Sequence, residues 1–108
     1  MINTKNLSFK TSLMESLKDV DFIQECATEN YKLKKKLISD IGKLSKPSAI
    51  ISSSSSGLLP SIIFSQCKNP NRGIIGHPFN PVYMLPAVEI VPGKKTSKKF
   101  LKKANNFY

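Results

Sequence analysis

Two short apolar runs, VDFIQ at 20–24 and AII at 49–51, flank the stretch ENYKLKKKLISDIGKL at 29–44. In that stretch Leu33, Leu37, Ile41 and Leu44 fall at i, i+4, i+8 and i+11, the repeat of an amphipathic helix, while Lys32, Lys35, Lys36 and Lys43 point outward. Strand, helix, strand in succession constrains the fold more than any other feature of the chain, because it is the signature of an α/β domain with a largely parallel sheet. The alternation continues downstream. Pro47 closes the helical unit, and the strand at Ala49 to Ile51 runs into the serines Ser52–Ser56 and Gly57. After Pro60 a short helix through Ile62, Ile63 and Phe64 leads to the turn KNPNRG and a strand beginning GIIGH (73–77). Val88–Val91 reads as one more strand, and Thr96 as the cap of a last helix, TSKKFLKKANNF. Upstream, Asn6–Phe9 reads as a short strand, and Thr11 or Ser12 as the cap of a helix with Leu13, Met14 and Leu17 on one face.

With 108 residues the chain fits one small domain. Its formal net charge of +10, from 17 basic and 7 acidic residues, would attract phosphates, nucleic acid or an anionic membrane. Sixteen of the basic residues are Lys and one, Arg72, is Arg, whereas nucleic-acid readers favour Arg for bidentate and stacked contacts. Lysine-rich solvated helix faces are the better reading, so neither a nucleic-acid nor a membrane partner is expected. Cys26 and Cys67 stand far apart with one histidine in the chain, which argues against a metal site and for free thiols in a reducing compartment. The start MINTKNLSFK lacks an apolar signal core, and no run reaches the ~18 apolar residues of a membrane span. A cytoplasmic location is expected.

In open α/β sheets ligands sit at the carboxyl ends of the strands. Polar clusters follow three strands in turn: Glu25–Glu29, Ser52–Ser56 and His77–Asn80. His77, the only histidine, can take a proton from a hydroxyl if a second group orients it, and Glu89 on the next strand can be that group; the alternative is a satisfied structural histidine. The serine tract is either a flexible loop or a set of hydroxyls for a ligand, and its place directly after a strand favours the latter. It is not GxSxG, so a hydrolase elbow is not supported. Glu25 and Glu29 can accept from ribose hydroxyls or cap the following helix, Lys34 can reach a phosphate or ribose or be simply solvated, and Cys26 reads as a small buried filler. No GxGxxG or GxxxxGK is present, so a phosphate-cradling loop is missing from this chain.

Three segments, DFIQECATENYKLKKKL, IISSSSSGLLPS and GIIGHPFNPVYMLPAVEIV, resemble consecutive parts of the NAD-dependent 3-hydroxyacyl-CoA dehydrogenase family, most closely its L-carnitine dehydrogenase branch. The resemblance runs from about Leu7 to Lys99, with the motifs in order and correctly spaced. It implies a partial Rossmann-type fold, doubly wound and mostly parallel with flanking helices. Residues 1–108 would be the C-terminal half of the NAD-binding domain, without its first βαβ unit and without the helical domain that makes most dimer contacts.

By the same resemblance His77 is the general base for the substrate 3-hydroxyl, Glu89 its orienting acid, and Ser56 the hydrogen-bond donor to the reacting oxygen. Asn80 matches a cofactor or substrate contact, Glu29 and Lys34 match residues near the nicotinamide ribose, and Cys26 lies in the same cofactor-binding segment. Ser55, Cys26 and Thr28 depart from the branch pattern, which has Thr, Ser or Ala, and often Pro there. The implied activity is oxidation of the 3-hydroxyl of L-carnitine or a similar 3-hydroxy acid with NAD, in a full-length homodimer; the isolated chain is expected to be inactive. GLLP after the serines and YMLP after HPFNPV favour carnitine over 3-hydroxybutyryl-CoA. A catalytically inactive remnant or a basic binding module is the competing reading, supported by the charge and the missing GxGxxG.

Overall fold

A computed structural model describes residues 3–108 and contains four strands and four α-helices. β1 (Phe22–Glu25), β2 (Ile50–Ser53), β3 (Gly73–Pro78) and β4 (Val88–Pro92) lie in that order in one sheet. The first three strands are parallel and β4 runs antiparallel to β3. α1 (Leu13–Leu17) precedes the sheet, α2 (Tyr31–Leu44) crosses from β1 to β2, α3 (Pro60–Ile63) and the 3-10 turn Pro70–Arg72 lie between β2 and β3, and α4 (Lys98–Phe107) ends the chain. The expected mostly parallel α/β sheet with flanking helices is the fold observed.

Because successive strand residues face opposite sides, the paired isoleucines divide the core in two. Ile51 and Ile75 join Ile38 and Ile41 of α2, Leu17 of α1 and Ile63 and Phe64 on one face. Ile50 and Ile74 join Phe100 and Ala104 of α4 on the other, with Phe22 packed beside them. Phe22 also stacks on Phe107, with ring centroids 3.7 Å apart. Both faces of the short strands are therefore covered, which is why they read as continuous apolar runs rather than alternating ones.

Several local expectations are corrected. Residues 6–9 form no strand: Leu7 and Phe9 are exposed, the Leu7 N–H turns back to the Thr4 carbonyl, and among the described residues no strand pairs with them. β1 begins at Phe22 rather than Val20, ending at Glu25 as the run implies, and β2 takes in Ser52 and Ser53, because the parallel register continues to Glu25↔Ser53. α2 starts at Tyr31 with Asn30 as its cap, the Asn30 Oδ1 accepting from the Leu33 N–H at 2.9 Å. Its buried side is Lys34, Ile38, Ile41 and Gly42, whereas Leu33 and Leu44 are exposed, so the inward face is rotated by about one residue from the leucine repeat. Ser97, not Thr96, caps α4; the Thr96 hydroxyl instead donates to the Gly73 carbonyl and accepts from the Gly93 N–H.

The single arginine is spent on the fold. Arg72, 1% exposed, donates from Nη2 to the Gly42 carbonyl at 2.7 Å and from Nη1 to the Lys46 carbonyl at 2.6 Å and the Ser45 hydroxyl at 3.0 Å. The guanidinium thus satisfies carbonyls that the end of α2 leaves open and places a cation at the negative end of its dipole. Burial holds its pKa below the usual arginine value. Gly42 is needed at the same place, since a Cβ there would lie 2.7 Å from the Cys67 sulfur.

β1 is an edge strand, and beside it opens an apolar cleft of about 340 Å³ lined by residues including Leu17, Val20, Phe22, Ile23, Leu37 and Ile41. Unpaired strand backbone next to apolar surface promotes association. Sedimentation velocity is expected to show the isolated chain associating as concentration rises, with Ile23→Lys reducing it; a monodisperse monomer at all concentrations would contradict this. Arg72→Lys, which keeps the charge but loses the fork, is expected to destabilise the chain by about 2 kcal/mol in urea unfolding.

Candidate active site

At the carboxyl ends of β1, β2 and β3 a cleft of about 350 Å³ is lined by Cys26, Ala27, Glu29, Lys34, Ser54, Ser56, His77, Pro78 and Asn80. Six of the seven residues to which the family resemblance gives a place in the site, Cys26, Glu29, Lys34, Ser56, His77 and Asn80, meet there. Glu89, the seventh, stands behind His77. The two are direct partners in the β3–β4 register, with His77 Nδ1 and Glu89 Oε2 3.8 Å apart. That separation is too long for a hydrogen bond but close enough for the carboxylate to stabilise an imidazolium. Glu89 borders a second, smaller cleft of about 200 Å³ that also includes Ser55, Ser56 and Gly57. Ser56 therefore lies between the two spaces, one on the His77 side and one on the Glu89 side.

The cleft wall is organised around Lys34, which is not solvated as one lysine of KLKKKL would be expected to be. Its ammonium is buried, 2.8 Å and 2.9 Å from the two oxygens of Glu25, 2.9 Å from the Ala27 carbonyl and 3.2 Å from Glu29 Oε1. Glu25 is equally buried and also accepts from the Ser53 hydroxyl at 2.5 Å. With Asn30 taking the helix cap, Glu29 is free to turn toward the serine loop. Its Oε2 accepts from the Ser55 hydroxyl at 2.8 Å, the Ser56 N–H at 3.2 Å and the Gly57 N–H at 3.5 Å. Burial alone would raise the Glu29 pKa, but the hydrogen bonds from Ser55, Lys34 and Gly57, together with the charge of Lys34, outweigh it and hold the carboxyl below the ordinary range.

Cys26 is exposed rather than a buried filler: the end of β1 carries it to the cleft, where its sulfur lies 3.0 Å from the Ser54 hydroxyl. A network absent from the sequence reading lies on the other face of the sheet. The Tyr108 hydroxyl meets the Ser52 hydroxyl at 2.8 Å and donates to Gln24 Oε1, while Gln24 Nε2 donates to Ser54 and to the Gly76 carbonyl. A Cβ on Gly76 would fall 2.2 Å from the Tyr108 hydroxyl oxygen, so glycine is required for this approach. Burial raises the Tyr108 pKa, against the lowering effect of Ser52 and Gln24. No periodicity could have revealed a contact between the chain's last residue and β1. Lys34 did carry a signal, since it shares the i, i+4, i+7 face of Ile38 and Ile41.

Chemically the arrangement offers one imidazole with a carboxylate behind it, hydroxyls and backbone donors of a tight loop, and a wall whose single ammonium is already paired. Among the described residues no three His, Cys, Asp or Glu side chains gather to hold a metal, and no helix is long and apolar enough to cross a membrane. The site suits proton transfer to and from a hydroxyl.

Comparison with known proteins bears on the family and the fold. The chain is 49% identical over 102 residues to an L-carnitine dehydrogenase of Pseudomonas sp, a match covering 94% of this chain and 32% of that protein. It is 44% identical to the L-carnitine dehydrogenase of Bacillus cereus, covering 94% of this chain and 31% of the relative. It thus spans about a third of the length of these curated relatives. Among solved structures, 3-hydroxybutyryl-CoA dehydrogenase of Escherichia coli K12 superposes with a TM-score of 0.86 at 26% identity, over 91% of this chain and 21% of that one. The (S)-3-hydroxybutyryl-CoA dehydrogenase of Ralstonia eutropha gives a TM-score of 0.82 at 31% identity, over 87% and 33% of the two chains. The family model described as 3-hydroxyacyl-CoA dehydrogenase, NAD binding domain, matches residues 3–108, and the chain belongs to that family.

Proposed function

We propose that this chain is the catalytic half of the NAD-binding domain of an NAD-dependent 3-hydroxy-acid dehydrogenase, with L-carnitine as the favoured substrate. The observation that carries the reading is His77 on the wall of the strand-end cleft, opposite Glu89 in register and sharing that cleft with Ser56. His77 removes the proton of the substrate 3-hydroxyl, Glu89 stabilises the imidazolium that results, and Ser56 donates a hydrogen bond to the reacting oxygen. NAD, when bound, supplies the acceptor for the hydride that leaves the same carbon. Cys26, Glu29, Lys34 and Asn80 wall the cleft that takes the nicotinamide end of the cofactor.

The residues fit that end of the cofactor and not its pyrophosphate, for which the chain has no glycine-rich loop. A βαβ unit carrying such a loop would pair with the free edge of β1 and cover the apolar cleft beside it, with a helical domain completing the substrate side. The full enzyme is assigned to the cytoplasm as a homodimer. The carnitine assignment draws on the identity to L-carnitine dehydrogenases and the GLLP and YMLP segments. A trimethylammonium would also be favoured by the Glu29 and Glu89 carboxylates and by Phe79, whose ring packs edge-on to His77 at 5.7 Å. The solved 3-hydroxybutyryl-CoA dehydrogenases make the acyl-CoA substrate the second reading. The basic-module reading is weakened by Arg72, buried in the fold and unavailable to a nucleic acid.

The test is to graft this chain in place of the matching segment of the Pseudomonas relative and follow NADH formation. Turnover of L-carnitine is expected to exceed that of 3-hydroxybutyryl-CoA, and His77→Ala to lower kcat by about 100-fold or more. Absence of His77-dependent turnover on both substrates would sink the dehydrogenase reading.

A further inference from the structure

Glu29 commits one whole oxygen to the serine turn. An ionised carboxylate offers about four lone-pair sites. Four donors already converge on this one: the Lys34 ammonium on Oε1, and the Ser55 hydroxyl and the Ser56 and Gly57 N–H groups on Oε2. Lys34 is committed in the same way, its ammonium surrounded by both oxygens of Glu25, the Ala27 carbonyl and Glu29. A ribose hydroxyl could bind the serine-facing oxygen of Glu29, or the ammonium of Lys34, only by displacing a protein partner.

We propose that Glu29 is a positioning residue for Ser56, holding the backbone of the Ser55–Gly57 turn at the mouth of the cleft, and that Glu25 acts behind it by fixing Lys34. The inference rests on the dehydrogenase reading for the part Ser56 plays, but the clamp itself is a property of this chain. It links the ends of β1 and β2 and the start of α2 through one run of hydrogen bonds and ion pairs: Ser53 to Glu25, Glu25 to Lys34, Lys34 to Glu29, Glu29 to the serine turn. Ser56 is exposed, and the bond its own N–H makes is to this carboxylate; the neighbouring bonds of the turn, Ser55 N–H to Ser53 and Leu58 N–H to Ser55, do not hold Ser56 itself. The other titratable groups around Glu29 are Lys34 and Tyr31 on α2, Glu25 on β1, and Cys26 and His77 across the cleft.

The deciding measurement uses the chain as it stands, by amide NMR. The Ser56 and Gly57 amide protons are expected to shift together as pH falls, in one step with its midpoint below the ordinary glutamate range, because the ionised carboxylate they donate to is held at low pKa. Linkage gives the same sign: the clamp contributes stability above the unfolded glutamate pKa and loses it as pH falls through the folded one. In Glu29→Gln this acid step should vanish. Amides that ignore both the acid range and the substitution would overturn the clamp.

In the grafted enzyme, Glu29→Gln is expected to lower kcat roughly 10- to 100-fold, with the KM for NAD changed less than about threefold. The loss should disappear in a Ser56→Ala background. A raised KM for NAD at unchanged kcat, or additive losses with Ser56→Ala, would return Glu29 to the role of a ribose ligand. A grafted enzyme silent with Glu29 intact counts against the dehydrogenase reading alone, because the amide titration judges the clamp without turnover.

Discussion

The arrangement of the site depends on the ion pair between Lys34 and Glu25, each with a side chain 1% exposed. Taking two charges out of water costs several kcal/mol per ion, and attraction offsets this only when the geometry is good and the remaining donors and acceptors are used. Here they are. The ammonium also meets Ala27 and Glu29, and the carboxylate also meets Ser53 and the Ala27 N–H. Removing one partner would leave a buried charge unpaired, a loss of about 3–5 kcal/mol in comparable pairs. The pair ties the first turn of α2 to the end of β1, and through Glu29 it extends to the serine turn after β2. Three chain segments distant in sequence therefore face one cleft in a fixed relation.

The rest of the sheet frames that relation. Isoleucines on alternate faces hold α1, α2 and α3 on one side and α4 on the other. Arg72 secures the far end of α2 and Tyr108 bridges β1 and β2 from the opposite face, so the strands that end at the cleft are held from both sides. The antiparallel β4 brings Glu89 behind His77, which a fourth parallel strand would not have done by a short connection. Most of the lysines stand on solvated surfaces, as the helical pattern implied, and the two basic side chains buried most deeply, Lys34 and Arg72, are structural.

Much of this could be read before any coordinates. The βαβ alternation and the clustering of Glu29, Ser56 and His77 at strand ends follow from patterns within short segments, whereas the pairing of His77 with Glu89 is only one of two options on those patterns and is singled out by the family resemblance. The errors also share a cause. Leu33 and Leu44 marked a plausible helix stripe, but the inward face was chosen by Lys34, whose burial made sense only once Glu25 stood opposite. Neither the exposure of Cys26 nor the turn of Glu29 toward the serines is legible along the chain, because their neighbours in space, Ser54 and the Ser55–Gly57 turn, lie about 30 residues away. Residues 6–9 carried a strand-like composition without a strand to pair with.

The sequence by itself determined the class of fold, the family and the chemical groups available at the strand ends, because periodicity and motif spacing are local properties of a chain. Only the tertiary structure decided which of those groups are free. It showed that the single arginine and the cleft lysine are already committed to carbonyls and carboxylates, and that one oxygen of Glu29 is taken up by the serine turn. Hydrogen-bond capacity is shared among residues that meet only after folding, and no reading along the chain can count it. GHPFNPVYMLPAVEIV named the imidazole and its acid; the register of β3 against β4 set them side by side.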